Sequence, residues 1–449
     1  METDKTIKSK ILSMILPITA ENILQMTAGV VSMAMVGRIS EIAVGAVGIS
    51  NIIFRIIWAI FKGISTGASV FVAQGYGAND REKIRRTSIS AFIILLFLSI
   101  FFMIILLEFS SKLLMIFNPK TSLLESAELY LTILALSLPF SALILLISGI
   151  FQGMGNAKTP MFIVLILNFF NIVLSYILIF GKIGFPKLGL KGAAIAYVLS
   201  YLIASIVGFT FLMYHNDIFR IKNFKINELI NINEIKSLVK FSIPTAFEMS
   251  FWQFASIIIT RAILEYGEVA YAAYQLGLQA ESMSYMPAAG FGIAASTFVG
   301  QAVGSRNNEM AKKYMKYLYK YAAIITSIAG LSLILFPNQI MSLLTNNKEV
   351  IQIGSQYLFI MGLVQLPQNI AGVLNGALRG AGYSKISMIN VGVGLWGVRI
   401  PLVLIFTNLL KTKIYWIWIA MGIDLIVRFI FSAITFKKKD IYNTKILTN

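Results

Sequence analysis

Pro244-Thr-Ala-Phe-Glu248 places a proline and a carboxylate inside an apolar run long enough to cross a bilayer. Pro17-Ile-Thr-Ala-Glu21 does the same 227 positions earlier. Four residues apart, a proline and an acid share one helix face, so each glutamate sits beside the backbone groups its proline leaves unpaired. An ionisable side chain at membrane depth is costly and points to transport or proton handling. The plainer reading is a satisfied polar residue at a helix contact. Two such glutamates at matched positions of an internal repeat favour the transporter.

Composition agrees. Of the 449 residues 57% are hydrophobic and only 13% charged, whereas charged residues make up about a quarter of a soluble protein. Apolar runs of about 20 residues recur along the chain, the mark of transmembrane helices. The period-two alternation of an outer-membrane barrel is absent. The expected fold is therefore an all-α polytopic membrane protein. The net charge of +18 does not indicate nucleic acid, because the basic residues gather in short loops between apolar runs. There is no cysteine, and the single histidine, His215, falls at a loop edge. That leaves no thiolate or zinc chemistry.

Twelve spans are legible. The first, near residues 11–36, follows Lys5, Lys8 and Lys10; it is too long for a signal peptide and lacks a cleavage site. Five more follow, near residues 44–74, up to 107, 127–151, 160–180 and up to 214. Residues 216–236 are polar and read as a cytoplasmic linker between an N-terminal six-helix bundle, 1–215, and a C-terminal one, 237–449. The second set runs near 241–264, 269–300, 317–336, 353–378, 386–409 and 414–436. Basic residues are denser at the ends shared with both termini, which places the termini in the cytoplasm.

The repeat extends beyond the two glutamates. At the same offset Glu41 matches Glu268, and Gly67-Ala-Ser-Val-Phe-Val-Ala-Gln74 matches Ala294-Ala-Ser-Thr-Phe-Val-Gly-Gln301. Gly149-Ile-Phe-Gln-Gly153, with Gly155 and Lys158, matches Gly376-Ala-Leu-Arg-Gly380, with Gly382 and Lys385. Six spans per half make the repeats parallel, with a substrate cavity expected between the halves.

Met35-Val-Gly-Arg38, Gln74-Gly-Tyr-Gly77, Val299-Gly-Gln301 with Gly304, and Asn375-Gly-Ala-Leu-Arg-Gly380-Ala-Gly382 resemble the multidrug and toxic compound extrusion (MATE) transporters in identity and order. The resemblance implies two pseudo-symmetric six-helix bundles forming a V, and export of organic cations in exchange for H⁺ or Na⁺. Many bacterial members carry an aspartate in the first span, where this chain has Ser32, and some carry an acid in the tenth, where it offers Gln368 or Asn369. The acid that matches the family is Glu248; Glu21 is its partner by the repeat.

Other residues join the candidate site. Glu281 lies ahead of Pro287, Gly290 and Gly292 in a span these residues would let bend. It either serves ion coupling or pairs with Arg55 or Lys62 across the halves, in which case the pair would act as a gate. Asn168, Asn171, Gln253, Gln279, Tyr285, Gln365 and Asn369 are candidates for a polar cavity lining, each also readable as a helix-packing hydrogen bond. Trp252, Tyr274, Met249, Met283 and Met286 suit a greasy cation pocket, or plain core. Asp424 and Arg428 stand four apart and neutralise each other; Arg399 and Pro401 find no place in the pattern.

The expectation is a multi-pass protein of a bacterial inner membrane, a monomer among membrane lipids with no nucleic-acid partner. It would exchange organic cations for H⁺ or Na⁺ on Glu248, Glu21 or Glu281, without a cofactor. A lipid-linked oligosaccharide flippase of the same superfamily is the alternative, favoured by Arg55 and Lys62. No metalloprotease, Walker or serine–histidine pattern supports an enzyme, and no filter-like loop supports a channel.

Overall fold

The computed structural model describes residues 4–214, 219, 231–439, 441 and 447, apart from the side chains of Met283, Pro287 and Ala288. His215 and most of the expected linker lie outside the described residues. All regular elements among the described residues are helical. The first half holds α1 (Asp4–Gly37), α2 (Glu41–Gly77), α3 (Arg81–Met115), α4 (Thr121–Ala135), α5 (Leu138–Gly153), α6 (Lys158–Phe180) and α7 (Gly189–Tyr214). The second holds α8 (Ile232–Leu264), α9 (Glu268–Gly304), α10 (Asn308–Leu335), the short α11 (Pro337–Ser342), α12 (Lys348–Gly380), α13 (Ser384–Gly392), α14 (Ile400–Leu404) and α15 (Tyr415–Lys438). Two π-helical stretches, Val393–Arg399 and Ile405–Leu409, flank α14.

The 227-residue offset recurs in backbone geometry. Asp80 caps α3 by accepting from the Lys83 N–H, and Asn307, its equivalent, caps α10 by accepting from that of Met310. Asn79 and Arg306 both take positive φ, 57° and 53°, as do Gly155 and Gly382, 84° and 97°. The glycine motifs of the repeat are where helices touch. A Cβ on Gly149 of α5 would fall 2.7 Å from the Ser65 carbonyl oxygen of α2, and one on Gly376 of α12 would fall 2.1 Å from that of Gly292 in α9. One turn on, Gly153 and Gly380 meet the carbonyls of Ser69 and Ser296 in the same way. Small residues at these points let the backbones approach closely, which is how membrane helices pack when water supplies no driving force.

Two spans depart from straight helices. The fourth, expected as one run, breaks between α4 and α5 with a bend of 51°. Pro139 opens α5; its ring cannot donate a hydrogen bond and clashes with the carbonyl four residues back, at Ala135. The eleventh carries the π turns, and Ile400 donates to the carbonyl of Leu395, five residues back. Pro401, next in the chain, has no N–H to continue the α pattern.

Among the described residues ten helices are long and apolar enough to cross a membrane, and the bent α4–α5 pair makes an eleventh. The helix α8 is 33 residues long; Thr245, Glu248, Ser250 and Gln253 make it less apolar, and it completes twelve. The chain forms two compact units. One comprises the described residues of Met1–Thr19, Ala73–Asn79 and Ile243–Thr448, the other Ala20–Val72 with the described residues of Asp80–Ser242. Both proline–glutamate helices are therefore divided, α1 just after Pro17 and α8 just before Pro244. In the first unit the core is built on Tyr274, Tyr357, Leu395 and Trp418.

Candidate functional site

The C-terminal half surrounds its acids with arginines. Glu248 on α8 is 5% exposed. The Nη1 of Arg379, at the end of α12, donates to its Oε1 at 2.7 Å, and the Ser387 hydroxyl on α13 donates to its Oε2 at 2.9 Å. The same Arg379 nitrogen donates to the Ser387 oxygen at 3.3 Å. Both carboxylate oxygens of Glu248 are thus engaged.

A second network lies around Asp424, which is fully buried on α15. The Arg428 Nε donates to Oδ1 at 2.8 Å and its Nη2 to Oδ2. The Arg399 Nε stands 2.7 Å from the same Oδ2. The π turn that ends at Arg399 adds a residue to the helical turn and so changes the direction its side chain takes. Both guanidiniums also lie over the Trp252 ring of α8, Arg428 at 4.6 Å and Arg399 at 5.5 Å from its centre. One carboxylate serving two buried guanidiniums is a network whose members each need the others.

Glu281 on α9, 5% exposed, accepts from the Tyr357 hydroxyl of α12, with the Gln368 side chain and Arg399 also acting on it. Tyr357 sits edge-on to Tyr274 and Trp418, with ring centres 5.8 and 5.1 Å away. Within the N-terminal half Arg55 is exposed, and Lys62 acts on another acid. The side chains of Met283 and Pro287 lie outside the described residues; Gly290 is buried against Ile15 and Ile18.

That acid is Glu21. It is 9% exposed on α1, and its Oε2 is buried with no hydrogen-bond partner among the described residues. Among the described residues the charge acting on it is Lys62 of α2. Elsewhere in this half the Ser32 hydroxyl donates to the Asn171 Oδ1 at 2.9 Å, so the position of the absent aspartate is a neutral hydrogen bond. Asn168 is buried with its Nδ2 unpartnered among the described residues.

The remaining candidates scatter. Asn369 donates to the buried Gln365 at 3.1 Å. Gln253, Met249 and Met286 are half-buried, and Gln279 and Tyr285 are exposed. Sequence reasoning missed Arg379, Ser387, Tyr357 and Gln368 as partners. A signal existed for one of them: in the repeated glycine motif Arg379 replaces Gln152, a charge present in one half only.

The MatE family model matches residues 17–177 and 244–405. The chain belongs to the MatE family. The two matched stretches begin at Pro17 and Pro244, on the repeat found from the sequence. Among curated relatives of this MatE chain, "Probable multidrug resistance protein NorM" of Thermotoga maritima is 30% identical over 427 residues, covering 94% of this chain and 90% of its own. "Probable multidrug resistance protein YoeA" of Bacillus subtilis is 25% identical over 434 residues, covering 95% and 94%. Two solved structures share the fold. A MOP superfamily transporter from Pyrococcus furiosus has a TM-score of 0.88 at 21% identity, over 96% of this chain and 95% of its own. An outward-facing multidrug resistance MATE family transporter has a TM-score of 0.88 at 20% identity, over 98% and 97%.

Proposed function

We propose that this MatE protein is a secondary active multidrug efflux transporter of a bacterial inner membrane. It would act as a monomer with cytoplasmic termini, exporting organic, mostly cationic xenobiotics in antiport with H⁺ or Na⁺ by alternating access. The observation that carries this reading is a set of buried carboxylates: Glu21 and Glu281 in helices long and apolar enough to cross a membrane, and Glu248 on α8. The names of the relatives, probable multidrug resistance proteins, support it.

The chemistry is charge exchange. An ionised carboxylate in a low-dielectric site attracts an organic cation; a proton or Na⁺ arriving from outside removes that attraction and releases the drug. One charge moving down 100 mV supplies about 2.3 kcal/mol, enough for a roughly fifty-fold gradient of a neutral substrate. Glu248, the acid that matches the family, would have to leave Arg379 and Ser387 to take part. The test is ethidium efflux from drug-sensitive cells or inverted vesicles under imposed H⁺ or Na⁺ gradients. Efflux that follows one gradient names the ion. No efflux under either, from well-expressed protein, favours the lipid-linked oligosaccharide flippase.

A further inference from the structure

The buried acids differ in one respect that bears on exchange. Glu248, Glu281 and Asp424 each accept hydrogen bonds or ion pairs from named side chains. Glu21 has a buried oxygen with no such partner among the described residues, and it stops short of an ion pair with Lys62. A buried carboxylate oxygen without a donor is costly, and that cost falls when a proton or a cation engages it. We propose that Glu21 is the carboxylate on which a proton and an organic monocation replace one another, with the Lys62 ammonium as its built-in counter-charge. The identity of the cation rests on the efflux reading above; the exchange itself does not.

The charges balance simply. Empty, the ionised Glu21 and Lys62 sum to zero. Protonation leaves the pair at one positive charge, and so does an organic monocation beside the ionised carboxylate. The two occupied states carry the same charge, so one cation enters as one proton leaves. Lys62 keeps both from being held at once, because protonated Glu21 with the cation bound would leave two positive charges, those of Lys62 and the cation, unopposed in a low-dielectric site. From α2 it is the ionisable group that faces Glu21, and none acts on Glu21 from another element among the described residues. The same offset puts Ala289 in place of Lys62 in the C-terminal half, where Glu248 is instead matched by Arg379.

The test uses the purified full-length protein in nanodiscs, titrated with ethidium while a pH indicator counts protons in weak buffer. At a pH low enough for Glu21 to start protonated, the wild type releases one proton per ethidium bound. Glu21→Gln releases none, and Lys62→Gln, which keeps the carboxylate, binds ethidium about tenfold more tightly at alkaline pH. Proton release that persists in Glu21→Gln overturns the proposal, as does an unchanged affinity in Lys62→Gln, which decides the matter if Glu21→Gln fails to fold. If the wild type binds no ethidium, the cationic-drug reading fails, and the site is judged without a drug. In that case infrared spectra recorded across a pH titration must show a carboxyl band that Glu21→Gln removes; identical spectra overturn it.

Discussion

The two halves place a glutamate at the same step of the same helix and then treat it differently. In the C-terminal half Glu248 is gripped by Arg379 and Ser387, and Asp424 by Arg399 and Arg428. In the N-terminal half the residue equivalent to Arg379 is the neutral Gln152, and among the described residues Glu21 has one oxygen without a hydrogen-bond partner and Lys62 as the charge acting on it. The repeat fixes where the acid lies; the partners brought in by other helices fix whether it is free to exchange. One half holds its glutamate in hydrogen bonds; in the exchange proposed above, the other trades the charge on its own.

The comparison breaks first at Asp424. Asp424→Asn leaves Arg399 and Arg428 buried without a carboxylate, at an expected cost of about 3–5 kcal/mol. A thermal melt followed by size-exclusion chromatography should show most of the folded protein lost, and a wild-type melt would show that the network is not structural. Next comes Arg379→Gln, which gives the C-terminal glutamate the residue its counterpart has. The expected loss is about 3 kcal/mol, largely recovered in Arg379→Gln with Glu248→Gln; strict additivity of the two would mean they are not coupled.

Smaller effects sharpen the picture. Gly376→Ala and Gly149→Ala each drive a methyl group into a facing carbonyl, at a cost of about 1–3 kcal/mol. Comparable melting shifts in the two would show that this helix contact is truly shared by the halves. Tyr357→Phe removes the donor to Glu281 and should cost about 1–2 kcal/mol. Ser32→Ala, which loses only the bond to Asn171, should cost under about 1 kcal/mol and leave the ion dependence of efflux as it was.

Much of the fold was legible because its signals are local or repeated. Apolar run lengths gave the spans, and a constant offset gave the halves. The Gly149 and Gly376 motifs turned out to be the points where the second and fourth spans of each half meet. The break between α4 and α5 was legible in Pro139 but was passed over, since hydropathy does not register a bend. In the C-terminal half Pro367 sits inside the unbroken α12, so a proline alone does not decide the matter. Of the site, the acids and the Asp424–Arg428 pair four residues apart were visible, and the partners brought in from other helices were not. Arg379 reaches Glu248 from 131 residues away, a pairing set by helix packing. Arg399 reaches Asp424 from a π turn, which no 3.6-residue period predicts.

The central claim is that Glu21 is the carboxylate the coupling ion uses. Ethidium efflux from inverted vesicles under an imposed H⁺ or Na⁺ gradient, comparing wild type with Glu21→Gln and Glu21→Asp, tests it most directly. Loss of the gradient dependence in Glu21→Gln, kept in Glu21→Asp, is the predicted result. Full gradient-driven efflux by Glu21→Gln would contradict it.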